Sequence, residues 1–288
     1  MIKRFAHAKL NLNLHILPDL KFKKDTGYYP IHFINCELDL HDDLYLENQD
    51  EKIEFTCDNG DLSNDENLVY KIAILLKKES GNPKLGVKIR LHKRIPVKAG
   101  LGGGSSDAAA ALNALLKLWK IRVTPLQMTN IINALGSDIF YFVHGGLCEV
   151  TGRGEIIKEL LSQLPKMWLI LITPSILKPS TAWMYKNINT STIGLSLDKL
   201  NTLKDGIVHK KKKDIINSVH NDFEKIIAEL YPTLENIKKD LKSSGSLHEL
   251  IAGSGLTIVG FYLTKQSAEK AFINLQIKYK NIIWTHTK

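Results

Sequence analysis

The chain has 288 residues, enough for one large domain or two of ordinary size and for a full core without covalent staples. Hydrophobic residues make up 44%, charged residues 24%, and 19 Gly with 9 Pro is an ordinary load, which excludes disordered, collagen-like and coiled-coil chains. The sum of 39 basic and 30 acidic residues leaves +9, a surplus that suits a polyanionic small molecule, nucleic acid or an acidic membrane without choosing among them.

The apolar runs, such as Trp168 to Ile172, fall far short of the roughly 18 residues a membrane-spanning helix needs, so no membrane partner is expected. At the start, Lys9, Asn11, Asn13 and His15 interrupt any apolar core of a signal peptide. Cys36, Cys57 and Cys148 are odd in number and lack metal spacing, which predicts free thiols in a reducing compartment. A cytoplasmic location follows.

Residues 5–17 alternate in polarity and predict a half-buried strand. The polar stretch 19–30 predicts a loop, and INCELDLHDDLYLE and KIEFTC predict two further strands. Apolar residues from Asn67 to Lys78 fall at helical spacing, 86–96 alternates again, and the Ala- and Leu-rich 105–119 predicts a helix opening on Ser and Asp. Thr124 to Leu135 predicts another helix, followed by a strand-like LCEVTGRGEII. After Pro165, the natural place for a boundary, strands at 167–174, LTIVGFY and NIIWTH mix with helices at 210–230, 232–243 and 265–277. Strands and helices without regular βαβ repetition make the class α+β.

The strongest chemical signal is PVKAGLGGGSSDAAAALNALL, residues 96–116. Gly100, Gly102, Gly103 and Gly104 strip side chains from a loop that leads through Ser105, Ser106 and Asp107 into a helix, whose amino end attracts anions. Such a loop suits phosphate, yet it is neither a Walker A loop, since no Lys follows Gly104, nor a dinucleotide fingerprint, since the required acid is replaced by Lys120 and Arg122. Asp138, in GSDIFYFVHGG, is either a base or a turn cap; Lys9, in AHAKLNLNL, shares a strand face with Asn11 and could be merely solvated.

Taken together, AHAKLNLNL, PVKAGLGGGSSDAAAAL, GSDIFYFVHGG with GRGE, and a late AGSGLTIVGF (252–261) resemble the GHMP kinase superfamily in order and spacing across nearly the whole chain. The GGGSSD loop, the tyrosines of GYY, PSTAWMY and NDFE resemble the members that act on a cytidine-diphosphate substrate on the route to isoprenoid precursors. The resemblance implies a two-domain architecture, 1–160 binding ATP and 161–288 completing a substrate cleft. ATP phosphates would lie on Pro96, Val97, Lys98, Ala99, Gly100, Leu101, Gly102, Gly103, Gly104, Ser105 and Ser106, with Mg2+ bridging them through ligands that the resemblance does not supply. Asp138 would accept the proton of the attacking hydroxyl, and Lys9 would orient it and stabilise developing charge. Asn11 would hold the polyol part and Tyr28 would stack on cytosine. Tyr29 would also face the base, Thr181 would touch the substrate, and Gly253, Ser254 and Gly255 would support its phosphates.

This chain departs from the pattern at Tyr29, where the superfamily members of this type carry His, at Ser137, Ile139, Phe140 and Tyr141 around the Asp, and at Ala252, usually Ser. None of these touches Lys9 or Asp138. The competing readings are a related kinase for homoserine, mevalonate or a sugar, and a non-catalytic nucleic-acid-binding α+β module. The latter should show aromatics interleaved with basic residues on one strand and would leave Lys9 and Asp138 without a purpose, so no nucleic-acid partner is expected. Oligomeric state is not legible.

Overall fold

A computed structural model describes residues 1–288. In chain order it contains β1 (Ile2–Ile16), α1 (Leu20–Thr26), β2 (Ile31–Asp50), β3 (Ile53–Cys57), α2 (Leu68–Ser80), β4 (Leu85–His92), α3 (Gly103–Leu118), α4 (Pro125–Asn133), α5 (Asp138–His144), β5 (Cys148–Thr151) and β6 (Ile156–Glu159). There follow β7 (Trp168–Ile172), α6 (Thr181–Asn187), α7 (Asp198–Val208), α8 (Lys212–Asn217), β8 (His220–Asn221), α9 (Glu224–Leu230), α10 (Leu234–Ser243), β9 (Glu249–Ile251), β10 (Ile258–Tyr262), α11 (Lys265–Leu275) and β11 (Ile282–His286). The class is α+β, and no helix is long and apolar enough to cross a membrane.

The chain divides by its contacts into two compact units. One comprises Met1–Ala8, Leu40–Val97 and Gly102–Gly145; the other comprises Lys9–Asp39, Lys98–Leu101 and Gly146–Lys288. β1 and β2 each contribute residues to both units. In the first unit the distal half of β2 pairs antiparallel with β4, and β3 pairs parallel with β4. Helix α2 packs on β3 and α3, and α3 on α5. Five of the eight buried α3 residues are Ala or Ser, and such small side chains let neighbouring helices approach closely.

In the second unit the proximal half of β2 pairs with β5, which forms a hairpin with β6. β1 runs parallel to β8, with Asn13 opposite His220. A separate antiparallel sheet has the order β11-β7-β10-β9, and α10 and α11 pack on it. Gly260 on β10 lets α10 sit close, since a Cβ there would stand 2.9 Å from the Leu241 side chain on α10, which would have to shift.

Three sequence expectations are corrected. The stretch 19–30 is not all loop: Asp19 Oδ1 accepts from the Phe22 amide and Gly27, at φ +80°, stops the turn, so α1 forms although none of its residues is buried. The single helix at 210–230 is broken by β8, where the backbone pairs with β1 instead. The strand at LCEVTGRGEII is two strands turned at Gly152, which lies at φ +73°. The 105–119 helix, the helix near 124–135 and the strand at 167–174 form where expected, and the strand expected over LTIVGFY, 256–262, forms over Ile258–Tyr262.

Candidate active site

In the second unit three sequence motifs distant along the chain meet. The Lys9 amide donates to the Leu101 carbonyl at 2.9 Å, joining β1 to the base of the glycine loop. Lys9 Nζ donates to Asn11 Oδ1 at 2.6 Å, and Asn11 Nδ2 donates to Asn35 Oδ1 at 2.6 Å. All three side chains are buried. A buried ammonium must be hydrogen-bonded to offset lost hydration, and this chain of polar groups provides such a bond while fixing its direction.

The late glycine motif closes on the same place. A Cβ on Gly253 would stand 3.2 Å from Asn11 Oδ1 and 3.5 Å from Lys9 Nζ, and one on Gly255 would stand 2.2 Å from the Ala99 carbonyl oxygen. These glycines are needed because backbone passes against backbone and against the Lys9–Asn11 pair. Asn221 Nδ2 donates to the carbonyls of Ile251 and Gly253, at 2.8 and 2.7 Å, and so holds the turn in place. Thr181 Oγ1 and Ser254 Oγ lie 2.8 Å apart. The structure therefore gathers Lys9, Asn11, Ala99, Gly100, Leu101, Gly253 and Gly255, and couples Thr181 to Ser254. Asn35 and Asn221 were missed as site residues; the NDFE string pointed to Asn221 without giving it a role.

Near this loop the second unit also holds Lys178, whose ammonium is pushed below its usual range by burial and then by the charge of Lys98. Lys98 thus places a second positive charge beside Lys178, and two such cations have a use for an anion. Tyr28 is 58% exposed, whereas Tyr29 is buried with its hydroxyl accepting from Lys23 Nζ at 2.8 Å and that ammonium 4.0 Å from the ring centroid. The two tyrosines thus have different surroundings: one ring is free to meet a ligand, and the other is packed against α1.

In the first unit, α3 begins at Gly103 from a left-handed Gly102, φ +71°, which supplies no side-chain cap. The Gly102 carbonyl accepts from the Ser106 amide at 2.9 Å. Beneath this turn, Lys93 Nζ contacts Asp42 Oδ2 at 2.5 Å and Asp107 Oδ2 at 2.7 Å. Asp42 Oδ1 also accepts from the Arg94 and Ile95 amides. Burial pushes the Asp107 carboxyl up, against the pull of Lys93 and with that of Asp42. The sequence placed Asp107 only as a helix opener; its pairing with Lys93 is long-range and had no local signal. Pro96 and Val97 end the preceding segment, with Val97 exposed. Asp138 is the first residue of α5 and exposed, while Ser137 holds the cap position without a side-chain capping bond. It is a carboxylate open to solvent at a helix amino end.

Residues 67–146 match the family model described as GHMP kinases N terminal domain. A 4-diphosphocytidyl-2-C-methyl-D-erythritol kinase of Bacillus pumilus is 35% identical over 273 residues, 94% of this chain and 91% of its own length. A crystal structure of 4-(cytidine 5'-diphospho)-2C-methyl-D-erythritol kinase aligns over 99% of both chains with a TM-score of 0.84 and 29% identity. Homoserine kinase from Cytophaga hutchinsonii aligns over 100% of this chain and 94% of its own with a TM-score of 0.72, but at 20% identity it shares the fold alone.

Proposed function

The chain belongs to the 4-diphosphocytidyl-2-C-methyl-D-erythritol kinases of the GHMP kinase superfamily, and from that membership we propose that it transfers the γ-phosphate of ATP to the 2-hydroxyl of 4-diphosphocytidyl-2-C-methyl-D-erythritol, a step in supplying isoprenoid precursors by the non-mevalonate route. It is an ATP-dependent small-molecule kinase. The observation that supports the substrate reading is the 35% identity over 94% of the chain to a 4-diphosphocytidyl-2-C-methyl-D-erythritol kinase, and the site that would serve it is where the Lys9–Asn11 pair meets the Gly253–Gly255 turn and the base of the glycine loop.

Phosphoryl transfer asks a protein mainly for positioning and charge stabilisation. Residues 96–106 would receive the nucleotide phosphates, with the amides of the uncapped first turn of α3 as donors and Lys98 and Lys178 as neighbouring cations. Ser105 and Ser106 are the hard oxygen donors of the loop that would assist in holding Mg2+, which would supply neutralisation of the phosphate charge. Asp138 accepts the proton of the attacking hydroxyl, worth about 10²–10⁴-fold. Lys9, its direction fixed by Asn11, stabilises the negative charge that develops on transfer. Tyr28 offers an exposed ring to cytosine, and Thr181 with Ser254 offers paired hydroxyls to substrate oxygens.

The test is phosphate transfer from ATP to 4-diphosphocytidyl-2-C-methyl-D-erythritol, run beside homoserine and mevalonate at equal concentration. Preference for the cytidine substrate by at least about 10³ in kcat/KM supports the assignment, since a missing base contact alone costs several kcal/mol. Equal or greater turnover of homoserine or mevalonate overturns it.

A further inference from the structure

We propose that His15, His220 and Asp222 bind one divalent transition-metal ion of the zinc class, at a place separate from the nucleotide loop. One ligand atom from each lies within 4.8 Å of the others. The backbone explains why they meet: β8 runs parallel to β1 with Asn13 opposite His220 and Leu14 opposite Asn221, and the Asp222 amide donates to the Leu14 carbonyl at 3.0 Å. The two imidazoles stack with centroids 4.9 Å apart and planes 21° apart.

Two details point to a cation rather than to packing. Neither ring nitrogen of His15 has a hydrogen-bond partner, although the residue has no exposed surface. Buried polar atoms are normally satisfied, and one of these nitrogens can be satisfied by a metal. Asp222 is anchored as metal-ligating carboxylates are: Oδ2 accepts from the Ile16 and Gly194 amides at 2.7 and 2.9 Å, which leaves Oδ1 to face His220 Nε2 at 2.7 Å.

The donor set chooses the metal. Two imidazoles and one carboxylate suit Zn2+ and its neighbours, whereas Mg2+ and Ca2+ take oxygen. Ligand atoms around tetrahedral zinc stand about 3.3 Å apart, so the His15 ring must turn and advance from its stacked position, and the His220–Asp222 pair, now at 2.7 Å, must open by about 0.6 Å. The cation takes His220 Nε2, and the proton there passes to Nδ1 of the same ring. The His220 side chain is 20% exposed, which gives the ion a way in and leaves the fourth position to water. A bound ion ties β1 to β8 and to the Gly194 segment. It also stiffens Asn221, which lies between two of the ligands and holds the Gly253 turn.

The full chain, freed of metal with a chelator and dialysed, is titrated with Zn2+ by calorimetry, and with Co2+ as an optical probe. Binding of one Zn2+ per chain, a raised melting midpoint and visible Co2+ bands of four-coordinate intensity are expected. His220→Ala, at a partly exposed position, and Asp222→Asn each should weaken Zn2+ binding by at least about tenfold, the loss of one good ligand. His209→Ala, an exposed histidine elsewhere, should leave binding unchanged. No Zn2+ binding by the native chain, or unchanged affinity in His220→Ala, overturns the site. If Asp222→Asn fails to fold, the His220→Ala result decides alone.

Discussion

A Cβ placed on Gly100 would stand 1.9 Å from the carbonyl oxygen of Ala252. Gly100 lies at φ +85°, so its glycine is required twice, by backbone conformation and by the approach of the late glycine turn. Gly100→Ala is expected to cost about 2–4 kcal/mol, the sum of overpacking and left-handed strain, read as a lower urea midpoint. Gly104→Ala is the contrast. Its Cβ would meet Leu68 at an ordinary 3.7 Å, so stability should hold or rise by up to about 1 kcal/mol, while nucleotide affinity falls if phosphate must approach that backbone. Gly103 is a poorer probe, because its Cβ would already press on Ile95 at 3.0 Å and on Lys93 Nζ at 3.3 Å. Equal stability losses in Gly100→Ala and Gly104→Ala would contradict this account of the loop.

Lys93 is the single ammonium in contact with the buried carboxylates of Asp42 and Asp107. Lys93→Met removes their counter-ion and is expected to cost about 3–5 kcal/mol, the penalty of stranding buried charge. Asp107→Asn should cost far less, because burial already pushes that carboxyl towards its neutral form. Denaturant unfolding of the two variants gives the comparison, and a smaller loss in Lys93→Met than in Asp107→Asn would show that the lysine is not what holds the pair.

Most strands and the long helix under the glycine loop were legible because period-two and helical patterns are local. The helix at 20–26 was hidden by polar composition, although Asp19 and Gly27 are readable caps. The break in 210–230 was hidden because β8 is two residues long and exists only through pairing with β1. For the site, Lys9, Asn11, Gly100 and the Gly253–Gly255 turn were visible as motifs, but their convergence, and the roles of Asn35, Asn221, Lys93 and Lys178, depend on contacts between residues far apart in the chain.

Asp138 lies at the first position of α5 with solvent access, so its replacement should leave the fold intact. Asp138→Asn keeps the shape and removes the basicity; kcat is expected to fall by about 10²-fold or more with nucleotide affinity unchanged. Near-normal turnover at saturating ATP would remove Asp138 from the chemistry.

The thiols give a pH-dependent prediction. Burial, and then the charge of Glu37, push Cys36 up to about 12; burial, then Glu159 and Glu37, push Cys148 up to about 11. The thiolate is the reactive form, so at pH 8 only about 10⁻⁴ and 10⁻³ of these groups are competent, even though Cys36 lines a cavity of about 520 Å3. Cys57 is also raised by burial but is only half-buried. A disulfide reagent should therefore label one thiol in the native chain and all three in denaturant, and the native rate should rise about tenfold per pH unit while the thiolate fraction is small. Two native equivalents at pH 8 would show that burial does not protect Cys36 or Cys148.

Tyr28 and Tyr29 are adjacent yet predict opposite phenotypes. Tyr28 is exposed, with only its backbone tied to the Thr26 hydroxyl, so truncation removes a ligand surface and little packing. If the ring stacks on cytosine for roughly 1–3 kcal/mol, by analogy with single-strand base stacking, Tyr28→Ala raises KM for the cytidine substrate about tenfold or more and leaves KM for ATP near normal. Tyr29 is buried and accepts from Lys23, so Tyr29→Ala opens a cavity, lowers the melting midpoint, and disturbs both KM values only through the fold. The measurement is the pair of KM values for each variant, taken well below its melting midpoint. A specific rise for the cytidine substrate in Tyr28→Ala, with stability unchanged, supports stacking; parallel rises for both substrates would assign Tyr28 to the scaffold instead.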